Sequence, residues 1–198
     1  MPDTESAPNI IEPFDPKKHD RTAFSCGIAQ VDNYFRNTAN KLVQSGNARV
    51  YVMLAPDGAL IGFYSINAHA VRYDKLPKKF ARTRPAHGEI PAAYISMIGR
   101  DRRYSGRGFG SDLLADALKR IARAADQVGM AVVMLDVLDC GNPERVARRK
   151  ALYQGFGFEP IASNPLRMYL PVALARKLLA EEEAPILLEE DTTATPQA

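Results

Sequence analysis

The chain has few of the residues on which disulfide-rich and metal-binding proteins depend. Its 198 residues include two cysteines, Cys26 and Cys140, three histidines and no tryptophan. The histidines, His19, His69 and His87, are scattered, and neither residue type follows a metal-ligand spacing. We therefore expect no metal site. The sequence leaves a disulfide open, although nothing in it indicates an oxidising compartment, and we interpret all five as structural or surface side chains.

Long hydrophobic runs are absent as well. No segment approaches the roughly 18 consecutive apolar residues that span a membrane, and the N-terminus lacks the charged and then apolar pattern of a signal peptide. We expect a cytoplasmic protein without membrane attachment. Its composition, 46% hydrophobic and 25% charged, favours one globular domain, which we place at residues 10–171. Residues 1–9 are predicted as a flexible N-terminus, 172–183 as a C-terminal helix and 184–198 as a disordered acidic tail.

The net charge of +3 conceals an uneven distribution. Residues 72–107 contain ten basic and three acidic side chains, which leaves +7, whereas residues 181–191 contain six acids and no base. Residues 73–90 show no helix or strand period and are predicted as a long basic loop. This patch would attract a polyanionic substrate. A solvated surface with a few residues serving cofactor phosphates is an equally open interpretation.

A glycine-rich segment organises the chain. In residues 103–111, Gly106, Gly108 and Gly110 alternate with other residues and leave backbone N–H groups without side-chain cover. An apolar run, 92–98, precedes the segment. An amphipathic helix follows it, with apolar residues at three- and four-residue steps as far as Val128 and Gly129 as its C-terminal stop. Because a helix N-terminus favours anions, the segment is predicted to bind phosphate.

Three phosphate-binding patterns compete for this segment. No P-loop string of the form Gly-x-x-x-x-Gly-Lys is present. A dinucleotide fingerprint fits in part, since Gly106-x-Gly108-x-x-Ser111 imitates Gly-x-Gly-x-x-Gly and Asp136 ends the next strand, where a ribose-binding acid would lie. The third pattern is Gln/Arg-x-x-Gly-x-Gly/Ala, which Arg103-x-x-Gly106-x-Gly108 matches.

The remaining elements predict an α/β fold. A strand from Asn9 leads into a helix from Ile28 to about Ser45, followed by a hairpin of strands 50–54 and 60–66. After the strand at 92–98 and the long helix come a strand at 130–137, a helix at 143–154 and a last strand at 166–170. We expect a central mixed, mostly antiparallel twisted sheet flanked by helices.

Two motifs together resemble the GNAT N-acetyltransferases. Arg103-x-x-Gly106-x-Gly108 is similar to the family's acetyl-CoA motif, and residues 151–158, Ala-Leu-Tyr-Gln-Gly-Phe-Gly-Phe, are similar to its helix-tyrosine-glycine-phenylalanine ending. The resemblance extends over about residues 10–171. It implies a GNAT fold and acetyl-CoA as co-substrate.

The resemblance also implies roles for particular residues. The backbone of Ile98, Gly99 and Arg100 would pair with the pantetheine arm, and an N–H there would stabilise the oxyanion. The pyrophosphate would be held by the loop and the start of the helix, namely by Gly106, Arg107, Gly108, Phe109, Gly110 and Ser111, with charge from Arg103 and Arg107. Tyr153 would protonate the leaving thiolate. Without the resemblance, Tyr153 is equally interpretable as a helix-end aromatic packed on the core.

The N-terminal half narrows the resemblance to one branch. His19-Asp20-Arg21, Phe24-x-Cys26-Gly27 and the segments at 48–52 and 62–65 are similar to toxins of toxin–antitoxin pairs. Membership implies acetylation of the α-amine of aminoacyl-tRNA, a small ribbon-helix-helix antitoxin and a homodimer. The lack of an obvious base favours an α-amine, whose pKa is about 7.7 to 8.0, over a lysine. A free-standing acetyltransferase and a catalytically silent binding module are the alternatives.

Overall fold

The computed structural model describes residues 9–183. Most of the predicted flexible N-terminus and all of the predicted acidic tail lie outside the described residues. The strands are β1 Ile10–Pro13, β2 Arg49–Leu54, β3 Leu60–Arg72, β4 Glu89–Arg100, β5 Val132–Asp136, β6 Glu159–Ile161 and β7 Asn164–Pro171. The helices are α1 Ala29–Asn33, α2 Ala39–Gln44, α3 Lys78–Ala81, α4 Phe109–Ala124, α5 Pro143–Gly155 and α6 Val172–Glu183.

The strands form one seven-stranded sheet in the order β1-β2-β3-β4-β5-β7-β6. Among the described strands, β4 and β5 form a parallel pair and all other neighbours are antiparallel. The predicted mixed, mostly antiparallel sheet flanked by helices is confirmed. The short strand β6 was not predicted, because three residues that include Pro160 carry too little pattern to be recognised.

Helices cover both faces of the sheet. Successive strand residues point to opposite faces, so the side chains of Phe63 and Tyr64 enter different hydrophobic clusters. Tyr64 packs with α4 and with Tyr153 of α5, and Phe63 packs with the segment that includes α1 and α2. The predicted helix from residue 28 to about residue 45 is confirmed in extent, but its middle, Tyr34–Thr38, is a π-helix.

The β3–β4 hairpin is longer than predicted. β3 continues to Arg72 and β4 begins at Glu89, so the irregular basic segment is 73–88 and includes a 3₁₀ turn at Tyr73–Lys75 and α3. The predicted start of this segment at residue 73 agrees with the structure, but the predicted end at residue 90 was wrong, because β4 begins at Glu89. Val71, Leu76 and Ile90 are buried in one cluster with β5 and β7, although their spacing follows no period.

α4 ends earlier than predicted. Its last residue is Ala124, with Ala125 as the C-cap, and the prediction that Gly129 stops the helix was wrong. Val128, which extended the apolar period, is 65% exposed. Arg176 of α6 donates hydrogen bonds to the carbonyl oxygen of Ala125 and to the carboxylate of Asp126, so a contact with α6 takes up a carbonyl that a longer helix would use.

A bulge in β4 opens the sheet. Ser65 pairs with Met97 and Ile66 with Ile95, which leaves Ser96 as an extra residue in β4. The parallel pairing of β4 with β5 ends at the pair Ile95–Leu135, at the same point. Beyond it, the N–H of Val137 donates to Leu166 at 2.7 Å and the chain stays with β7. β4 and β5 therefore separate and leave a gap between them.

Candidate active site

A cavity of about 490 Å³ occupies the gap between β4 and β5. One wall is the run 94–100 of β4, and the other is the chain from Leu135 to Asp139. The segment before α1 contributes Cys26 and Ile28, and α5 contributes Arg149 and Tyr153. From Ile98 to Arg100, β4 pairs with β3 on one edge, so its other edge faces the cavity and offers unpaired backbone groups.

The loop that follows β4 exposes a row of backbone donors. Gly106 and Gly108 have φ values of 78° and 80°, a conformation that costs a side-chain-bearing residue energy. Gly108 is the N-cap of α4. Within residues 9–183, none of the N–H groups from Gly106 to Gly110 donates a hydrogen bond. Five free donors at the positive end of a sixteen-residue helix form an anion site.

A buried carboxylate fixes the start of this loop. Asp101 is 1% exposed and accepts hydrogen bonds from the backbone N–H of Ser25 at 3.1 Å and of Arg103 at 2.9 Å. The Arg103 guanidinium also binds both Asp101 oxygens, at 2.9 and 3.1 Å. Burial raises the pKa of Asp101, but the hydrogen bonds from Arg103 and Ser25 outweigh it and hold the pKa below its usual value.

A second carboxylate holds the segment before α1. Asp32 accepts hydrogen bonds from the N–H of Cys26 at 2.8 Å and from the hydroxyl of Ser25 at 2.9 Å. Burial and the neighbouring Asp32 raise the pKa of Cys26 to about 12. The Cys26 thiol therefore stays protonated at neutral pH and is not a nucleophile, although it lines the cavity.

Tyr153 projects from α5 into the cavity. Its side chain is 4% exposed, and its ring packs edge-on against Phe158 at 6.2 Å. The sequence places the tyrosine here because α5 ends at Gly155 and Gly157, with φ 92°, turns the chain back into the sheet. Burial raises the pKa of Tyr153 to about 12, against a smaller opposite effect of Arg149. The hydroxyl is therefore protonated at neutral pH and available as a proton donor.

Comparisons with known proteins identify the family. The chain is 61% identical over 180 residues, 90% of its length and 99% of the relative's, to a probable toxin TacT of Sinorhizobium fredii. It is 32% identical over 176 residues, 89% of its length and 98% of the relative's, to a tRNA-acetylating toxin of Mycobacterium tuberculosis. The chain belongs to the toxin branch of the GNAT N-acetyltransferases. No protein-family model matches it.

Solved structures of GNAT toxins share the fold. AtaT complexed with acetyl-methionyl-tRNAfMet has a TM-score of 0.75 at 20% identity, over 87% of this chain and 99% of AtaT. AtaTR bound with acetyl-CoA has a TM-score of 0.71 at 22% identity, over 86% of this chain and 98% of the other. Within residues 9–183, no helix is long and apolar enough to cross a membrane.

The residues predicted for acetyl-CoA fall into three groups in this GNAT toxin. Ile98, Gly99 and Arg100 line the cavity together with Tyr153. The residues from Gly106 to Gly110 carry the free N–H groups, whereas the N–H of Ser111 is used by the Gly108 carbonyl at 2.8 Å. Arg103 is engaged by Asp101, and Arg107 lies over the Tyr104 ring at 5.8 Å.

The loop fits the diphosphate of coenzyme A. A Cβ atom added to Gly106 or Gly108 would meet no atom within 4 Å, so the space above the free N–H groups is open. The start of α4 stays close to the sheet because Gly62 of β3 has no side chain. A Cβ atom there would lie 2.6 Å from Leu113 of α4 and 2.8 Å from the carbonyl oxygen of Gly99.

Sequence reasoning missed the groups that organise the cavity. Asp101 is remote in the chain from its partner Ser25. Asp32 is close in the chain to Cys26, but no motif marks either carboxylate. Arg149 was not singled out, although it lies one turn before Tyr153 and donates to the Leu138 carbonyl at 3.0 Å. The i, i+4 spacing of Arg149 and Tyr153 is the one sequence signal that could have indicated a shared helix face.

Both carboxylates of the cavity wall are already engaged. Asp136 binds Arg167 through two hydrogen bonds, and Asp139 accepts from the N–H of Gly141 at 3.0 Å. The hydrogen bonds from Arg167 hold the pKa of Asp136 below its usual value, against burial. Asp136 is therefore a poor general base. It also does not serve as the free ribose-binding acid that the dinucleotide alternative requires.

Proposed function

We propose that this protein transfers the acetyl group of acetyl-CoA to the α-amine of aminoacyl-tRNA and thereby blocks translation. The observation that carries the proposal is that one continuous segment, from Ile98 to Gly110, contains two binding features in succession. It contains an open strand edge that lines the same cavity as Tyr153, followed by five free N–H groups at the N-terminus of α4. The names of the tRNA-acetylating relative and of the AtaT complex with acetyl-methionyl-tRNAfMet support the substrate.

The N–H groups of Gly106 to Gly110 would bind the diphosphate, and the free edge of β4 at Ile98–Arg100 would bind the pantetheine amides. A backbone N–H on that edge would also stabilise the charge that develops on the thioester oxygen. Acetyl-CoA supplies the activated acetyl group. Arg103 would contribute through Asp101, by holding the loop, and Arg107 would add positive charge beside it.

Proton transfer would be divided between solvent and Tyr153. The attacking amine forms the new C–N bond as the C–S bond breaks, and the Tyr153 hydroxyl donates its proton to the departing sulfur. The amine's own proton leaves through water, because Asp136 on the cavity wall is held ionised by Arg167 and is a poor general base. An α-amine, with a pKa of about 7.7 to 8.0, is partly neutral at pH 7 and needs no strong base.

The basic segment 73–88 and its flanks would hold the tRNA backbone. Arg72, Lys75, Lys78, Lys79, Arg82 and Arg84 lie on or beside the hairpin tip. We infer a cytoplasmic enzyme, since its substrate is there. We also propose a homodimer and a ribbon-helix-helix antitoxin. The structure of AtaT bound to the C-terminus of the antitoxin AtaR supports an antitoxin.

Radiolabelled acetyl transfer to several acceptors tests the proposal. Purified protein is given labelled acetyl-CoA with total charged tRNA, deacylated tRNA, polyamines or peptides. Label on charged tRNA alone is expected. Label on polyamines or peptides alone would favour a free-standing acetyltransferase, and no turnover with any acceptor would leave a silent binding module. Expression without an antitoxin should arrest growth, and the arrest should be relieved by Tyr153→Phe.

A further inference from the structure

Four side chains from four strands form a cluster on one side of the cavity mouth. The Asp136 carboxylate of β5 accepts two hydrogen bonds from the Arg167 guanidinium of β7, at 2.7 and 2.8 Å, and one from the Tyr94 hydroxyl of β4, at 2.8 Å. The His69 ring of β3 lies against the Tyr94 ring, with centroids 5.1 Å apart. Tyr94 and Asp136 also line the cavity that contains Tyr153.

This cluster is suited to binding and not to proton transfer. Hydrogen bonds from Arg167 hold the pKa of Asp136 below its usual value. Burial and the bond to Asp136 raise the pKa of Tyr94 to about 12. Carboxylate, phenol and guanidinium therefore keep one charge state each around neutral pH, so the cluster has a fixed pattern of donors and charges.

The cluster holds the Arg167 guanidinium in a fixed orientation near the aromatic rings of His69 and Tyr94. Nε and Nη2 of Arg167 donate hydrogen bonds to Asp136. Within residues 9–183 the third nitrogen, Nη1, makes no hydrogen bond. The Arg167 side chain is 39% exposed, and the His69 side chain is exposed as well. A guanidinium held by a carboxylate is preorganised for a phosphate oxygen, and an exposed ring is a stacking surface for a base.

We propose that His69, Tyr94 and Arg167 form a subsite for the 3′-terminal nucleotide of the acceptor, with the base on the His69–Tyr94 surface and a phosphate on Arg167. The inference rests on the proposed function. In an aminoacyl ester the α-amine is joined through its own carbonyl group to the terminal ribose, so an amine in the cavity leaves that nucleotide at the cavity mouth. Since Asp136 neutralises Arg167, recognition there depends on geometry more than on net charge.

The test compares two arginines that are both paired with an aspartate. Arg167→Lys removes the guanidinium at the subsite. Arg176→Lys is the control, since Arg176 pairs with Asp126 at 2.9 Å in a contact between α6 and the end of α4. Both substitutions conserve charge. His69→Ala removes the exposed ring that lies against Tyr94. Steady-state kinetics on total charged tRNA are measured for all three, together with calorimetric titration of acetyl-CoA and thermal melting.

Arg167→Lys and His69→Ala are each expected to raise KM for charged tRNA roughly tenfold, with kcat and acetyl-CoA affinity close to wild type. Arg176→Lys should leave KM unchanged. Because lysine retains the charge, the salt dependence of KM should keep the wild-type slope in Arg167→Lys.

Three outcomes would overturn the subsite. KM could be unchanged in both Arg167→Lys and His69→Ala, it could rise equally in Arg176→Lys, or kcat could fall with KM unchanged. If the wild-type enzyme acetylates charged tRNA while one of these is observed, the subsite alone is rejected. If the wild-type enzyme does not acetylate charged tRNA at all, the proposed function fails and the subsite fails with it.

Discussion

The carboxylate of Asp101 accepts a hydrogen bond from the backbone N–H of Ser25, 76 residues earlier in the chain. A reciprocal backbone bond, from the N–H of Arg102 to the Ser25 carbonyl at 3.0 Å, lies beside it. The segment that borders the cavity from the N-terminal side is thus attached directly to the start of the glycine-rich loop. These hydrogen bonds fix the segment at Ser25 and the loop start at Asp101 relative to each other.

Asp101→Asn should therefore weaken both the fold and the binding of acetyl-CoA. The amide cannot accept from Arg103 on both atoms, and a buried acceptor is lost, at a cost of about 1–3 kcal/mol. Because Arg103 is 55% exposed, little of this cost comes from the ion pair itself. Urea unfolding and calorimetry measure the two effects. Asp126→Asn, at a carboxylate that is 56% exposed, is the control and should change neither.

The same residue predicts a dependence of stability on pH. The folded-state pKa of Asp101 lies below its unfolded value of about 3.9, so its ionised form stabilises the fold above that pH. This contribution is lost as pH falls through the folded-state pKa. Urea midpoints of wild type and Asp101→Asn should differ most near neutral pH and converge below about pH 4. A constant difference down to pH 3 would contradict this assignment.

Gly108→Ala, compared with a control glycine, should distinguish a loss of stability through backbone strain from a loss of acetyl-CoA binding. A Cβ atom at φ 80° costs about 1 kcal/mol, and it also adds a side chain to the loop that we propose binds the diphosphate. Gly58→Ala is a matched control, since Gly58 has φ 81° in the β2–β3 turn and equally open surroundings. Both variants should lose similar melting temperature. Only Gly108→Ala should weaken acetyl-CoA binding, and equal affinities in the two variants would exclude the loop as the phosphate site.

Tyr153→Phe should lower turnover by roughly 10²- to 10⁴-fold, because the leaving sulfur loses its proton donor. Acetyl-CoA affinity should stay near wild type, since the hydroxyl makes no hydrogen bond within residues 9–183 whose loss would disturb the cavity. Stopped-flow or radiolabel assays measure the rate, and calorimetry measures the affinity. Tyr51→Phe, outside the cavity lining, removes a tyrosine hydroxyl as a control and should be fully active. Unchanged turnover in Tyr153→Phe would remove this residue from the mechanism.

Elements with a local pattern could be predicted from the sequence. The α4 period, the hairpin of β2 and β3 and the helix at 143–154 are each set by neighbouring residues. The structure shows the Asn142 side chain accepting from the N–H of Arg145 at 3.0 Å. The order of strands and helices followed from such signals.

Contacts between distant segments could not be predicted in this way. The pairing of Tyr94, Asp136 and Arg167 requires three strands to lie in a particular register, which no single segment encodes. The far half of the β3–β4 hairpin was missed for a related reason. Its outward-facing residues are polar or small, and the strands are stabilised by each other and by buried Val71 and Ile90.

The bulge at Ser96 and the tip of the β3–β4 hairpin should differ in how far they tolerate insertions and deletions. Residues 73–88 join two strands outside the sheet, so a longer or shorter connection there would leave both faces intact. Removing the extra residue Ser96 would instead restore regular pairing of β4 with β3 and remove the bulge at which β4 and β5 separate. Among functional relatives, we expect gaps to accumulate at the hairpin tip and the distance from Ile95 to Gly106 to stay constant.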